Sequence, residues 1–493
     1  MTCTLGLDIS TTASKALLLG EDGTLLGVSS APHSLSTPRP LWSEQDPLEW
    51  WTATRKAVAG VLTKTGVSPE QISGIGLSGQ MHGLVLLDEA GDVLRPAMLW
   101  NDQRSGAECD EIREMFGLED LVRITGNDAF PGFTAPKLLW VRNHEPEVYA
   151  RVRHVLLPKD YIRWRLTGEH ATDRAGAGGT LLLDLATRDW SSRILDGLGI
   201  PREWLPATHE GTDVTGRLTD SAATATGLAS GTPVVGGGGD QAAQAVGVGA
   251  TEPDTFALTV GTSGVVFAPS DRPRVDTRGR AHAFPHAVPG RWHLMGVMLS
   301  AAGSLQWFRD TLAPGVPFDD LVAEAADCPA GADGVTFLPY LTGERTPHAD
   351  PLATASFSGL TRGHSRGHLT RAVLEGVAFG LLDNLDLLAQ AGLPRPVSLR
   401  ASGGAMQSPL WRQVLADVLA TDLVTVDTTE GAALGAAMLA GVGTGIWANA
   451  GEASQACVRT GEVIQPSPET VEVYRGIHQR FRALYPALQA VRN

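Results

Sequence analysis

Four glycines and one aspartate, Gly236 to Asp240 in "VVGGGGDQAAQAVG", carry a carboxylate to the start of a small-residue helical pattern. Glycine accepts close backbone approach and positive φ, so this run can deliver Asp240 where a bulkier chain could not follow. The same aspartate also reads as an ordinary cap for a helix from Gln241 onward. A second carboxylate stands in "DISTTASK", where Asp8 is followed by Thr11, Thr12 and Lys15. Hydroxyls and turn amides suit phosphate oxygens, and a carboxylate suits Mg²⁺. A plain hairpin turn capped by Asp and Thr reads the same way. "VGTSG", with Gly261, Thr262 and Ser263, and "ASGGAMQS", with Gly403, Gly404, Ala405 and Ser408, add two more turns of small and hydroxyl residues. Three such turns in one chain favour a phosphate-binding cleft. "LSGQMHG" sets Met81 and His82 after one strand, and "LWNDQRS" sets Trp100, Asp102 and Arg104 after another. An indole face beside a carboxylate and a guanidinium suits a polyhydroxylated ligand, and equally suits a polar loop.

The elements that must position these residues are legible from turns and periodicity. "CTLGLDISTTASKALLLGEDGTLLGVSS" reads as three strands joined by two turns. A helix over 47–63 is expected, with Asp46 as cap and Pro47 at its first position. "ISGIGLSGQ" is a glycine-rich strand, "GLVLLDEAGDVLRPAMLW" a hairpin-like pair, and helices are expected over 105–116 and 135–143. "DTFALTVGTSGVVFAPS" then repeats strand, turn, strand. Asp8-Ile9-Ser10-Thr11-Thr12 aligns with Thr259-Val260-Gly261-Thr262-Ser263, half a chain away, which points to a half-length repeat. The first copy holds a carboxylate where the second holds Thr259, so only the first could take a metal.

Composition excludes several classes. The 493 residues suffice for two to four domains, and a net charge of −15 argues against a nucleic-acid or anionic-membrane surface. Cys3, Cys109, Cys328 and Cys457 are far apart and form no CxxC, so neither a zinc site nor a disulfide framework is expected and a reducing compartment fits. The N-terminus lacks the basic segment of a signal peptide. There is no Gly-Lys pair, hence no P-loop. The GxGxxG at Gly74, Gly76 and Gly79 lies inside a strand, so no dinucleotide site is expected there. The uncharged run 431–451 contains a GxxxG, but its Ala and Gly content favours a buried soluble helix through about Ala440 over a membrane span.

Together these segments resemble the FGGY carbohydrate kinases. "GFTAPKLLWVRNH" (132–144) and "ASFSGLTRGHSRGHLTRAVLE" (355–375) fit two long family signatures. Runs such as "WSEQDPLEWW", "GLSGQMHGLVLLD", "LRPAMLWNDQR" and "GGGGDQAA" resemble the branch that acts on D-xylulose. The resemblance implies an α/β fold of two actin/hexokinase-like (ribonuclease H-like) domains, residues 1–245 on the sugar and metal side and 246–493 on the nucleotide side, with the active cleft between them. It implies ATP-dependent phosphorylation of D-xylulose with Mg²⁺, Asp240 as catalytic base and Asp8 as the residue that holds the metal. Thr11, Thr12 and Lys15 match the first phosphate turn, and Gly261, Thr262 and Ser263 the second. Gly403, Gly404, Ala405 and Ser408 match the adenosine turn, and Gly303 and Gln306 the region that approaches ATP. Met81 and His82 match the sugar-contacting pair, and Trp100, Asp102, Asp240 and Gln241 line the sugar pocket. Ser10 stands where the family usually has Gly, and Gln241 where many relatives have the shorter Asn, which bears on sugar preference. The charge and the cysteines lead to the expectation of a cytoplasmic enzyme without nucleic-acid or membrane partners, and the resemblance adds a homodimer. A kinase for another pentulose or polyol is the nearest alternative; a non-catalytic sugar or nucleotide sensor on the same fold is a second.

Overall fold

Apolar runs flank the polar turns at 10–12 and 21–24, and the chain folds back at each: β1 (Cys3–Ile9), β2 (Ala13–Gly20) and β3 (Leu25–Pro32) form an antiparallel ladder. The computed structural model describes residues 2–427 and 430–492. Helix α1 (Pro47–Thr65) begins as its cap predicts, with the Asp46 carboxylate accepting the Leu48 N–H at 2.9 Å. The glycine-rich strand β4 (Ile72–Gly79) lies parallel to β1. After the helices of the middle segment, among them α2 (Thr134–His144), the sheet is finished by β5 (Val214–Arg217), β6 (Pro233–Val235) and the two-residue β7 (Gly238–Gly239). Its order is β5-β6-β4-β1-β2-β3, with β7 also on β4.

Helix α3 (Asp240–Gly247) leads to a second sheet built from β8 (Thr255–Val260), β9 (Gly264–Ser270), β10 (His282–Pro285), β11 (Trp292–Met298), β12 (Ser398–Ser402), β13 (Asp422–Val426) and β14 (Thr460–Ile464). The order is β10-β11-β9-β8-β12-β13-β14. The half-length repeat recurs here strand for strand. β8 is antiparallel to β9 and parallel to β12, as β1 is to β2 and β4. Asp8 sits opposite Ser78 on the parallel neighbour, and Thr259 sits opposite Ser402. Each first turn therefore faces the same way out of its sheet.

The uncharged segment after residue 430 forms helix α6 (Gly431–Gly443), counted after α4 (Ala302–Leu312) and α5 (Pro409–Leu419). It packs across the two halves of the chain, against α3 and against β1 and β4. No described helix is long and apolar enough to cross a membrane. Its contacts explain the strand glycines. A Cβ on Gly76 would lie 1.8 Å from the Ala436 carbonyl oxygen, and one on Gly435 would lie 1.8 Å from that of Ala243. The GxGxxG is thus a bed for a helix.

The hairpin-like pair expected over 83–100 forms: its arms bridge near the turn, with Leu94 N–H on Leu86 O at 2.9 Å, and at the base, with Leu84 N–H on Met98 O at 2.9 Å. Each arm also gains a second partner: Val85–Leu87 pairs with His154–Leu156, and Ala97–Met98 with Glu44–Gln45. Arg95 anchors the second arm through ion pairs to Glu44 and Glu145, each at 2.8 Å.

Candidate active site

Asp8 shares with Thr4 and Gly6 the face of β1 that looks toward α6, and it is buried. Its Oδ1 has no hydrogen-bond partner. Burial pushes the carboxyl up to about 6, against the opposing pull of the Lys15 ammonium. The turn that follows tolerates Ser10 without a left-handed φ: its hydroxyl and its N–H both donate to Ala13 O, at 2.8 and 3.0 Å.

Asp240 is the first residue of α3, whose cap position is held by Gly239. The aspartate is therefore inside the helix rather than capping it, and its Oδ1 accepts the Gln241 N–H at 2.7 Å. Its carboxyl is pushed up to about 7, chiefly by burial and next by the charge of Asp8. The two carboxylates thus share one poorly solvated space, part of which stays open at Asp240. The glycines make the approach sterically feasible. Gly237 has φ +68°, and a Cβ there would lie 1.9 Å from Leu77 O. Arg163, itself buried, holds the carbonyls of Val235 and Gly236 and so fixes the run from behind.

Six of the residues expected on the nucleotide side line one cavity. Thr262 O accepts the N–H groups of Ala301 (2.8 Å) and Gly303 (3.1 Å), and Gly261 O accepts that of Ala302 (2.7 Å). The β8–β9 turn and the start of α4 are consequently one unit. A cavity of about 600 Å³ is walled by Thr262, Gly303, Gln306, Gly404, Ala405 and Ser408, with Leu305 and Trp411 supplying apolar surface. Ser408 also caps α5 by accepting the Trp411 N–H at 3.2 Å. A second cavity of about 650 Å³ shares Gly404 and Gln407 with the first and reaches Gly403, Thr259 and Gln244. Thr12 and Ser263 are exposed on their turns, and Thr11 accepts the Trp100 Nε1–H at 3.0 Å. Lys15 lies on β2 past the first turn, with its ammonium 2.7 Å from Glu430 at the head of α6.

On the sugar side, Met81 packs directly under Gly239. His82 adopts φ +69°, and its Nδ1 donates to Gly179 O at 2.6 Å. Burial lowers its pKa to about 3, so the ring is neutral and Nε2 is left as an acceptor. Trp100 and Gln241 keep part of their surface open. Asp102 does not fit its expected role. It is fully buried, its carboxylate accepting the Ser43 N–H (2.7 Å) and clamped by the Arg104 guanidinium at 2.7–3.0 Å. Arg104 in turn stacks 3.5 Å over Trp42. Asp102 closes a structural knot and presents no oxygen to a sugar.

Sequence reasoning missed Lys137 and Arg163. Lys137, fully buried on α2, donates to His82 O (3.0 Å) and Gly132 O (2.7 Å), and so holds the His82 turn in place. Burial lowers its pKa to about 7, against the pull of Asp102. A lysine inside an apolar helical run, in a chain with few lysines, was the available signal.

Residues 3–247 match the N-terminal domain, and residues 256–444 the C-terminal domain, of the FGGY family of carbohydrate kinases. The chain is 45% identical to a xylulose kinase of Escherichia coli (strain K12) over 438 residues, 88% of this chain and 89% of that one. Its fold superposes on a xyloylose kinase from Brucella ovis with a TM-score of 0.93 and 40% identity, covering 99% of this chain and 100% of that one. A gluconate kinase from Lactobacillus acidophilus gives a TM-score of 0.94 at 30% identity, covering 99% and 98%.

Proposed function

The chain belongs to the FGGY family of carbohydrate kinases, and from that premise we propose that it transfers the γ-phosphoryl group of ATP to the terminal C5 hydroxyl of D-xylulose. Asp240 is the general base. A sugar hydroxyl holds its proton tightly, and a carboxylate within about 2.6–3.2 Å can take it as the new P–O bond forms, typically a ~10²–10⁴-fold effect. Burial supports this role, because a base poised near pH 7 transfers protons better than an exposed aspartate. Residues 1–245 act as the sugar and metal side, and 246–493 as the nucleotide side. The cavity below Gly404 takes adenosine, and the 11–12 and 261–263 turns take the phosphates.

The unpartnered, buried Oδ1 of Asp8 fits a cation, and Asp8 is the residue that would hold Mg²⁺. When bound, that ion supplies positive charge against the phosphate oxygens. His82 Nε2 accepts from a sugar hydroxyl, while Trp100 and Gln241 flank the same pocket. The four cysteines are buried and free, which supports a reducing, cytoplasmic setting. A homodimer completes the proposal, and sedimentation velocity tests it.

The observation that carries this reading is the placement of Asp240 at the head of α3, close enough to Asp8 for that charge to help raise its carboxyl. A panel of sugars in a coupled ADP-release assay, run with and without Mg²⁺, tests it. D-xylulose gives the highest kcat/KM. Preference for D-gluconate, the reading favoured by the likeness to a gluconate kinase, overturns the choice of sugar and leaves the chemistry intact. Because Asp8 and Asp240 are both present, a purely sensing protein is disfavoured; absence of sugar-dependent ADP release would restore that reading.

A further inference from the structure

A segment hydrogen-bonded beside β11 supplies a guanidinium that the reading above leaves unused. Arg345 is held on rigid backbone. Thr346 N–H donates to Val297 O at 3.1 Å, the Thr346 hydroxyl donates to Arg280 O at 2.8 Å, and Glu344 exchanges backbone hydrogen bonds with Asp350. The side chain is half-buried, and burial lowers its pKa. A guanidinium so placed is normally met by a carboxylate. Among the described residues no acidic side chain is in ion-pair contact with Arg345. Its neighbour Glu344 turns Oε1 onto the backbone N–H groups of Leu299 (3.0 Å) and Arg345 (2.7 Å), and burial pushes that carboxyl up to about 8.

A neutral relay orients Arg345 instead. Asn127 Nδ2 donates to Ala283 O (2.8 Å) and Thr125 O (3.2 Å), which leaves Asn127 Oδ1 as an acceptor. His282 Nδ1 donates to that oxygen at 2.9 Å, so His282 Nε2 is free to accept from Arg345 Nη1 at 3.5 Å. The guanidinium also lies 5.7 Å from the ring of Phe130. One of five donors is thus used, and no Arg345 nitrogen is among the buried unpaired atoms, so the remaining donors face open space. That space adjoins the sugar side: Phe130 meets Phe133 at 5.8 Å, and Phe133 meets His82 at 4.7 Å.

We propose that Arg345 is a sugar-binding residue contributed by the second half of the chain, its free N–H groups taking the acceptor oxygens at the end of a ketose remote from Asp240. Those oxygens are the carbonyl and the adjacent hydroxyl. This rests on the Met81–His82 side being the sugar pocket, and it deepens that reading by naming a ketose-selective contact. It also makes the pocket a joint product of both halves, because His82 and Phe130 come from the first.

The test compares the parent with Arg345→Met and Arg345→Lys, reading kcat/KM for D-xylulose, the inhibition constant of xylitol (the polyol without a carbonyl) and the Kd of ADP. For Arg345→Met, kcat/KM for D-xylulose falls about 10–100-fold, as expected for a lost hydrogen bond to a charged donor. Xylitol inhibition weakens much less, ADP binding stays within about twofold of the parent, and Arg345→Lys recovers part of the loss. Equal losses for ketose and polyol, unchanged kcat/KM, or a parallel loss of ADP binding each overturn the proposal. Should Arg345→Met fail to fold, His282→Asn releases the relay while keeping the charge. It then raises KM for D-xylulose several-fold with ADP binding intact, and an unchanged KM counts against the role. Failure of the underlying function looks different: the parent itself phosphorylates no ketose.

Discussion

Asp240 meets two opposite demands in one side chain. As the proposed base it must lose its proton for catalysis, while the burial that readies it disfavours the charged form. With a pKa near 7 in the folded protein and 3.8 as the ordinary value, activity and stability respond to pH in opposite directions. For activity, kcat/KM for the sugar rises about tenfold per pH unit up to about pH 7 and then levels, since the base must be unprotonated. Asp240→Asn removes this limb and lowers kcat about 10²–10⁴-fold, with ADP binding retained. A parent-like rate in that variant would refute the base assignment. For stability, the unfolded chain releases this proton near pH 4 and the folded protein keeps it until about 7. Stability is therefore lost as pH rises between those values, on the order of a few kcal/mol. Asp240→Asn escapes the loss, so its Tm exceeds the parent's by a few degrees at pH 8 and converges with it near pH 4. Asp8, raised to about 6 by the same burial, adds a smaller slope of the same sign.

At the scale of elements, the active carboxylate is aimed by one pair of helices in close backbone contact. α3 meets α6 at Gly435 and Gly247, where a Cβ would lie 1.8 Å from Ala243 O and 2.0 Å from Gly431 O. Gly435→Val forces the pair apart, costs about 1–3 kcal/mol or more, and lowers kcat because Asp240 rides on α3. Gly476, in the helix Pro468–Arg492, has nothing within 4 Å, so Gly476→Ala leaves kcat unchanged and gains up to about 1 kcal/mol. Denaturant melts with steady-state rates on both variants separate these outcomes; equal effects would deny α6 its positioning role. The contrast also marks what the sequence conveys. The three phosphate-type turns, the cap at Asp46, the repeat and the buried helix after residue 430 were legible, because each is written in adjacent residues. The fate of Asp102 was not, because it is decided by Ser43 and by an Arg104 stacked on Trp42 from a distant loop. Arg345 was equally hidden, because His282 and Asn127 reach it only by tertiary folding; the apolar run around Lys137 marked that lysine without revealing its contact to His82.

At the scale of the whole molecule, the reaction requires water to be kept from the γ-phosphate once Asp240 is in reach of it. The proposed base, the proposed first phosphate turn and His82 belong to the first sheet and its loops, whereas the second turn and the cavity proposed for adenosine belong to the second sheet, with Arg345 on a segment beside its strand β11. A ligand set spread over both sheets favours their approach when both ligands are bound, because each new contact spans the cleft. α6, drawn from the second half of the chain, packs on β1, β2 and β4 of the first, and the Lys15–Glu430 pair at 2.7 Å ties β2 to its head. A chain of this length has a radius of gyration of about 23 Å by size scaling. Small-angle scattering with D-xylulose and a non-hydrolysable ATP analogue together reduces it by about 1 Å, and either ligand alone by less. Arg345→Met abolishes the difference between the doubly bound and nucleotide-bound states, because the sugar then loses its contact to the second half. Scattering curves that superpose with and without both ligands at saturation would show that the cleft works without closing, and water would then have to be excluded by the sugar alone.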